Sequence, residues 1–136
     1  MTPRWTNYFM GVARLTASLS KANRLKVGCV AVKDKRIVGC GFNGLPEGID
    51  GLCEDAEGQT RPDVNHAEQN LILFCAKNGI PLKDSTVVIS HSPCVTCARM
   101  LYASGVASVL YGEHYRDTDG IELLKTLGVE VIHAKI

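Results

Sequence analysis

The sequence lacks a strong excess of charge and any long apolar run, and each absence excludes a class of protein. Its 136 residues include 15 lysine or arginine and 14 aspartate or glutamate side chains, giving a formal net charge of +1. This balance provides no broad positive surface for a polynucleotide, so it favours a small substrate. No apolar run is long enough to span a bilayer, and residues 1–19 follow a helical period instead of forming the apolar core of a secretory signal. The sequence therefore predicts no nucleic-acid partner, no membrane partner and a cytoplasmic location.

Internal repeats, low-complexity tracts and linkers are also missing. Apolar residues make up 46% of the chain and charged residues 21%, which is ordinary for a globular protein. The length suffices for one hydrophobic core. We therefore expect a single domain over residues 1–136.

The chemistry-bearing residues fall in two short stretches. One is His66-Ala67-Glu68, and the other is Pro93-Cys94-Val95-Thr96-Cys97. Two thiols and one imidazole form a ligand set of the catalytic zinc type, which leaves a fourth position open for water. Taken separately, the cysteine pair is also compatible with a structural half-site or a redox pair, the histidine with a core residue, and the glutamate with a solvated one.

The combination is more specific than its parts. A structural zinc site would need a fourth protein ligand, and the chain has no second Cys-x-x-Cys and no His-x-x-x-His. A redox pair would not require His66 or Glu68. A His-x-Glu sequence followed by Pro-Cys-x-x-Cys is the signature of zinc-dependent nucleobase deaminases, in which the glutamate moves protons. We therefore interpret His66, Cys94 and Cys97 as zinc ligands and Glu68 as the catalytic acid–base.

Helix geometry adds a constraint. Residues two apart on a helix point about 200° away from each other, so His66 and Glu68 can face one metal only at a helix start. Residues 62–65 supply a breaker and an N-cap for that helix. Cys94 and Cys97 lie at i and i+3 after Pro93, where a helix N-terminus is expected to stabilise both thiolates.

Apolar periodicity predicts four helices and five strands around these stretches. The strands following the first two alternate with helices, which predicts parallel pairing. We expect a three-layer α/β/α fold with a five-stranded mixed sheet, strands 3–5 parallel, and a long functional loop over residues 43–65 in which Cys53 is a plain loop cysteine. The predicted helices cover residues 3–19, with Thr2 as N-cap, 66–78, 94–104 and 118–127, and the predicted strands cover 27–32, 36–42, 85–90, 106–111 and 129–132.

Residues 20–131 resemble the deoxycytidylate (dCMP) deaminase family of the cytidine deaminase superfamily. Besides the zinc motif, the resemblance rests on Arg24 with Val27-Gly28, on residues 41–46, on residues 90–94 and on Tyr115-Arg116-Asp117. Phe42 stands where the family usually has tyrosine, so a contact of that hydroxyl is lost here.

The resemblance implies hydrolysis of dCMP to dUMP and ammonia, which supplies dUMP for dTMP synthesis. It implies that Asn43 contacts the sugar or base and that the backbone at Ala67 and Ser92 contacts the pyrimidine edge. The 5′-phosphate is assigned to Arg24, Tyr115 and Arg116.

The resemblance also implies a homo-oligomer, a hexamer as in many members, that is activated by dCTP and inhibited by dTTP. Mg²⁺ would accompany either effector, and the effector site would involve Gly41, Phe42, Asn43 and Gly44. The sequence leaves open whether dCTP is also a substrate.

Three alternatives stay open. A tRNA adenosine deaminase shares the zinc motif but typically has glutamate where this chain has Ser92. A free-nucleoside cytidine deaminase usually joins its last two strands without the helix expected at residues 118–127. A non-catalytic zinc- or nucleotide-binding module would have no use for Glu68.

Overall fold

Within residues 1–115 and 117–134, which the computed structural model describes, the chain forms four helices and five strands. No helix in this part of the chain is both long and apolar enough to cross a membrane. The helices are α1 (Pro3–Ala17), α2 (Ala67–Lys77), α3 (Val95–Ala103) and α4 (Asp119–Thr126), and the strands are β1 (Gly28–Lys33), β2 (Arg36–Phe42), β3 (Thr86–His91), β4 (Ser108–Glu113) and β5 (Glu130–His133).

The strands form one mixed sheet in the order β2-β1-β3-β4-β5. Strands β1 and β2 form an antiparallel hairpin whose turn residues, Asp34 and Lys35, both have positive φ angles of 50° and 62°. Two such residues in succession are the mark of a type I′ turn, which suits the twist of a hairpin. Strand β1 also pairs antiparallel with β3, whereas β3–β4 and β4–β5 are parallel. The predicted five-stranded sheet with parallel strands 3–5 is confirmed.

Helices cover both faces of the sheet because its central strands are apolar on both sides. Val30, Val88 and Leu110 point toward α1, where they pack with the buried side chains of Phe9 and Met10. The intervening residues point the other way, toward a larger core made with α2, α3 and α4. This two-residue alternation is what a strand buried on both faces requires. Three layers result, as predicted.

Apart from β2, which has its predicted bounds, the elements differ from the sequence-based expectation by one or two residues at one or both ends. Helix α1 stops at Ala17 instead of Leu19, and strands β3 and β4 run further toward their carboxyl ends. The largest consequence is at α2, where His66 itself is the N-cap with an extended backbone (φ −69°, ψ 161°). The predicted cap within residues 62–65 is wrong, because Asn65 pairs with Gly44 across the base of the long loop.

Gly28 lets α1 approach the first strand closely. A Cβ atom at this position would overlap the carbonyl oxygen of Ala13 and the backbone nitrogen of Ala17. Backbone atoms cannot yield as a flexible side chain would. The missing side chain is therefore a packing requirement of the α1–β1 contact.

We expect Gly28→Ala to lower the free energy of unfolding by at least about 2 kcal/mol, because a methyl group would be forced into packed backbone. Gly11→Ala is the matched control: Gly11 lies on the exposed side of α1 with nothing within 4 Å of a built Cβ. It should raise stability by about 0.5–1 kcal/mol. Urea denaturation of both variants measures the two changes in the free energy of unfolding. No change in Gly28→Ala would contradict the packing argument.

Candidate active site

Two helix N-termini meet on one side of the sheet, and each presents its N-cap side chain to the other. His66 caps α2 and Cys94 caps α3, both with extended backbone angles. The Gln69 side chain accepts a hydrogen bond from the His66 backbone nitrogen at 2.7 Å, which fixes the entry into α2. Cys97, in the first turn of α3, donates its backbone N–H to Cys94 Sγ at 3.4 Å. Local capping therefore orients the cluster.

The three side chains form a donor set whose spacing fits a zinc ion. His66 Nδ1 lies 3.5 Å from Cys94 Sγ and 3.3 Å from Cys97 Sγ, and all three ligand atoms lie within 4.8 Å of one another. Tetrahedral zinc with ordinary Zn–N and Zn–S bonds places such donors about 3.6 Å apart. No other cluster of three or more histidine, cysteine or acidic side chains with ligand spacing occurs in the described residues. The donor types and distances both suit one zinc ion with an open fourth position.

The two thiols of the cluster titrate in opposite directions. The Cys97 thiol donates a hydrogen bond to Cys94, which with the contact from His66 lowers the pKa of Cys94 to about 4. The same hydrogen bond, together with burial, raises the pKa of Cys97. The expectation that the helix N-terminus stabilises both thiolates stays a prediction, since these two pKa shifts follow from the hydrogen bond, from burial and from the repulsion between two nearby negative charges. A cation would have to displace the second proton.

Glu68 lies two residues after His66, in the first turn of α2, and is only 4% exposed. Burial raises its pKa to about 7, while a hydrogen bond from its own backbone N–H and the nearby His66 act in the opposite direction. A carboxyl group with a pKa near neutrality can both accept and release a proton at physiological pH. Because His66 is the N-cap and has an extended backbone, its side chain and that of Glu68 do not point about 200° apart, as they would inside a helix.

A cavity of about 420 Å³ opens beside this cluster. All the predicted substrate-binding residues that the structure describes line this cavity. Arg116 lies outside the described residues. These lining residues are Arg24, Asn43, Ala67, Ser92 and Tyr115, together with His66, Glu68 and Cys94. Of the stretch assigned to an effector, Asn43 alone is among the lining residues; Gly41, Phe42 and Gly44 are not.

Asn43 has structural partners of its own. Its side-chain oxygen accepts from the Val27 backbone nitrogen at 2.9 Å, and its side-chain nitrogen donates to the Leu25 carbonyl at 2.8 Å. The amide therefore fastens the segment before β1 to the end of β2. One donor hydrogen and one acceptor lone pair remain for a ligand.

Ser92 connects the cluster to the segment after β4. Its hydroxyl accepts a hydrogen bond from the Tyr115 backbone nitrogen at 2.7 Å, and its own nitrogen donates to the Glu113 carbonyl at 2.8 Å. The adjacent His91 forms a further link, with its Nε2 3.0 Å from a Glu113 carboxylate oxygen. The end of β3 and the end of β4 are thus joined at three points beside the cavity.

Three polar residues that border the cavity were not predicted from the sequence, namely Glu54, Thr60 and His91. The first two lie in the long loop, whose length predicts a function without saying which of its residues serve it. His91 comes directly before Ser92, but a lone histidine near a zinc motif has no distinguishing spacing. Cys53, 2% exposed, also borders the cavity from the loop.

Helix α4 supports the cluster from behind. A Cβ atom on Gly120 would overlap the Pro93 carbonyl oxygen and come within 2.8 Å of the Cys94 carbonyl carbon. The start of α4 therefore packs directly against the backbone that presents Cys94.

The fold and the site define a class. An α/β/α sandwich with a His/Cys/Cys donor set at two helix starts and a buried glutamate beside it is the arrangement of zinc-dependent nucleobase deaminases. Residues 3–113 match the family described as cytidine and deoxycytidylate deaminase zinc-binding region. The chain belongs to this family, and the predicted family is confirmed.

Individual relatives agree with the family match. The chain is 35% identical to the deoxycytidylate deaminase of Mycobacterium phage D29 over 123 residues, covering 80% of this chain and 94% of that protein. It is 33% identical to human deoxycytidylate deaminase over 124 residues, covering 85% and 68% respectively. The crystal structure of the cyanophage S-TIM5 dCMP deaminase in complex with dCMP and dUMP superposes with a TM-score of 0.94 at 40% identity, covering 98% of each chain.

We expect the purified protein to bind about one zinc ion per chain, measured by atomic emission against protein concentration. His66→Ala should weaken zinc binding at least about tenfold, because it removes one of three protein ligands. Cys40→Ala is the matched control, since Cys40 is an exposed free thiol outside the cluster. Two zinc ions per chain, with one lost in Cys53→Ala, would contradict the assignment of Cys53 as a plain loop residue.

Proposed function

We propose that the chain catalyses the hydrolytic deamination of dCMP to dUMP and ammonia. The observation that carries this proposal is the likeness to the S-TIM5 dCMP deaminase over nearly the whole of both chains, a protein whose structure holds dCMP and dUMP. The deoxycytidylate deaminases of phage D29 and human support the same substrate. In this role the protein supplies dUMP for dTMP synthesis.

In this proposal His66, Cys94 and Cys97 hold one zinc ion. When bound, zinc in such a set provides a water molecule activated for attack at neutral pH. The two cysteines bring the negative charge that a divalent cation needs, and the histidine completes the third side of the site. A cavity beside the open side gives a substrate room to approach.

Glu68 moves the protons. It accepts one proton from the attacking water and delivers it to N3 of cytosine. It then takes the remaining proton from the hydroxyl group added at C4 and transfers it to the amino group, which leaves as ammonia as the C4 carbonyl of uracil forms. Its raised pKa supports this role, since one group must act as base and then as acid in a single turnover. Burial keeps bulk water from competing for those protons.

Glu68→Gln should retain zinc and fold but lose about 10²–10⁴-fold in kcat for dCMP, because the amide cannot carry a proton. The loss of absorbance on conversion of cytosine to uracil measures the rate, and ammonia release checks it. Glu57→Gln, an exposed substitution in the long loop, is the control. Near wild-type turnover in Glu68→Gln would rule out the proton-carrying role.

The same assay identifies the substrate when dCMP, deoxycytidine, dCTP and a tRNA anticodon stem are tested in parallel. A preference for the anticodon stem would favour the tRNA adenosine deaminase alternative, and a preference for deoxycytidine the free-nucleoside alternative. Zinc binding without turnover of any of the four would favour a binding module.

We assign the 5′-phosphate to fixed positive charge at the mouth of the cavity. Arg24 borders the cavity from the segment before β1, and Tyr115 borders it from the segment after β4. Arg116, next to Tyr115 in the sequence, is the second arginine of this proposal. Toward the cluster, the backbone at Ala67 and Ser92 contacts the pyrimidine edge, and Asn43 contacts the sugar or base.

Arg24→Ala and Arg116→Ala should each lower kcat/KM for dCMP at least about tenfold, while kcat/KM for deoxycytidine stays within about twofold. The reason is that a charge-assisted hydrogen bond to phosphate is lost only when the ligand has a phosphate. Arg36→Ala removes an exposed arginine from the β1–β2 hairpin and serves as control. Equal losses on both substrates would contradict the phosphate assignment.

Oligomerisation and regulation complete the proposal. By family resemblance the protein is a hexamer, with dCTP as activator and dTTP as inhibitor, each bound with Mg²⁺ near residues 41–44. Gly41 also has a packing explanation, since a Cβ there would overlap the Ala67 carbonyl oxygen of α2. All six cysteines are free thiols, which fits a reducing compartment such as the cytoplasm.

A further inference from the structure

The segment before β1, residues 20–27, is an irregular stretch that carries Arg24 to the cavity. We call it the connector. Side-chain acceptors satisfy several of its backbone N–H groups. Ser20 Oγ accepts from Ala22 at 3.2 Å, and Asn43 Oδ1 accepts from Val27 at 2.9 Å. These contacts fix the two ends of the connector and leave its middle to be held by something else.

Glu54 holds that middle. Its carboxylate accepts from the Asn23 backbone nitrogen at 3.1 and 3.0 Å, one distance to each oxygen, and from the Arg24 backbone nitrogen at 3.2 Å. Two successive backbone N–H groups converging on one anion form a nest, which favours a full negative charge. The contact spans 30 residues of sequence and joins the long loop to the connector.

The loop presents Glu54 from a folded turn. Glu54 and Thr60 form an antiparallel bridge, and the Asp55 side chain accepts from the Glu57 and Gln59 nitrogens at 3.0 Å. Cys53, directly before Glu54, is 2% exposed. The carboxylate is therefore delivered from an ordered support, as a positioning group must be.

The carboxylate binds the backbone of the connector and not the guanidinium group of Arg24. In the described part of the chain, Arg24 forms no ion pair with any acidic side chain. Arg24 therefore borders the cavity with no ion-pair partner among the described residues. Glu54 thus binds the backbone of Arg24 without forming an ion pair with its side chain.

We propose that Glu54 is a positioning residue that clamps the connector so that Arg24 faces the phosphate of a nucleoside 5′-phosphate substrate. This inference rests on the proposed function, in which Arg24 binds that phosphate. It adds that the long loop contributes to phosphate recognition through a backbone contact. Without the Glu54 contact the connector can move, so binding is weakened for substrates that have a phosphate.

The first test compares Glu54→Ala on dCMP and deoxycytidine. We expect KM for dCMP to rise at least about tenfold with kcat within about twofold, and kcat/KM for deoxycytidine to stay within about twofold, since two backbone N–H groups lose their hydrogen bonds to a charged group. Glu54→Gln should fall between the wild type and Glu54→Ala, because one oxygen can still accept. Equal losses on both substrates would overturn the inference.

Glu47→Ala is the matched control, since it removes an exposed glutamate from the same loop. It should leave both substrates unchanged. Zinc content and the thermal unfolding midpoint of all variants are measured alongside. A rise in the dCMP KM of Glu47→Ala equal to that of Glu54→Ala would reduce the effect to the net charge of the loop and overturn the clamp.

The decisive experiment is a double-mutant cycle with Arg24→Ala. If Glu54 acts through Arg24, adding Glu54→Ala to Arg24→Ala should change KM for dCMP by less than about twofold. Multiplicative effects would show that Glu54 acts elsewhere. Hydrogen–deuterium exchange gives a readout independent of turnover: exchange of the peptide spanning residues 20–27 should accelerate in Glu54→Ala and not in Glu47→Ala.

Failure of the proposed function gives a different pattern. If the wild-type protein does not turn over dCMP, the substrate assignment fails before any variant is made. If it does and the cycle is multiplicative, the clamp alone fails.

Discussion

The meeting of two helix N-termini is the constraint on which the rest of the site depends. His66 and Cys94 are both N-cap residues, so each side chain leaves its helix where the backbone is still extended. This geometry brings an imidazole and two sulfur atoms within 4.8 Å and leaves Glu68 in the first turn of α2 beside them. A site built on capping residues needs few long-range contacts to be oriented.

Those parts of the structure that depend on local spacing could be predicted from the sequence. The i, i+3 relation of Cys94 and Cys97 and the two-residue step from His66 to Glu68 both require a helix start, and both are found at one. The parallel order of β3, β4 and β5 follows from the helices between them, since a parallel strand needs a crossover connection. The first and last residues of the strands were predicted less accurately, because a strand can continue one residue further wherever its neighbour offers a pairing partner.

Contacts that join distant segments could not be predicted. Glu54 reaches the connector through backbone N–H groups, which carry no residue-type signal, and the loop between residues 43 and 65 has no periodicity to position it. The opposite shifts of the two thiol pKa values could not be predicted for a related reason. A helix N-terminus acts on both sulfur atoms alike, whereas the hydrogen bond between them, visible only in the structure, favours one charge over two.

The close contact at Gly120 links the packing of α4 to the metal affinity of the site. Because the first turn of α4 rests on the carbonyl groups of Pro93 and Cys94, any side chain there would push on the loop that carries a sulfur donor. A substitution at this position would change the metal affinity at least as much as it would disturb the packing of the helix. The helix that makes the fifth strand parallel therefore also packs behind the metal site and holds in place the backbone that carries Cys94.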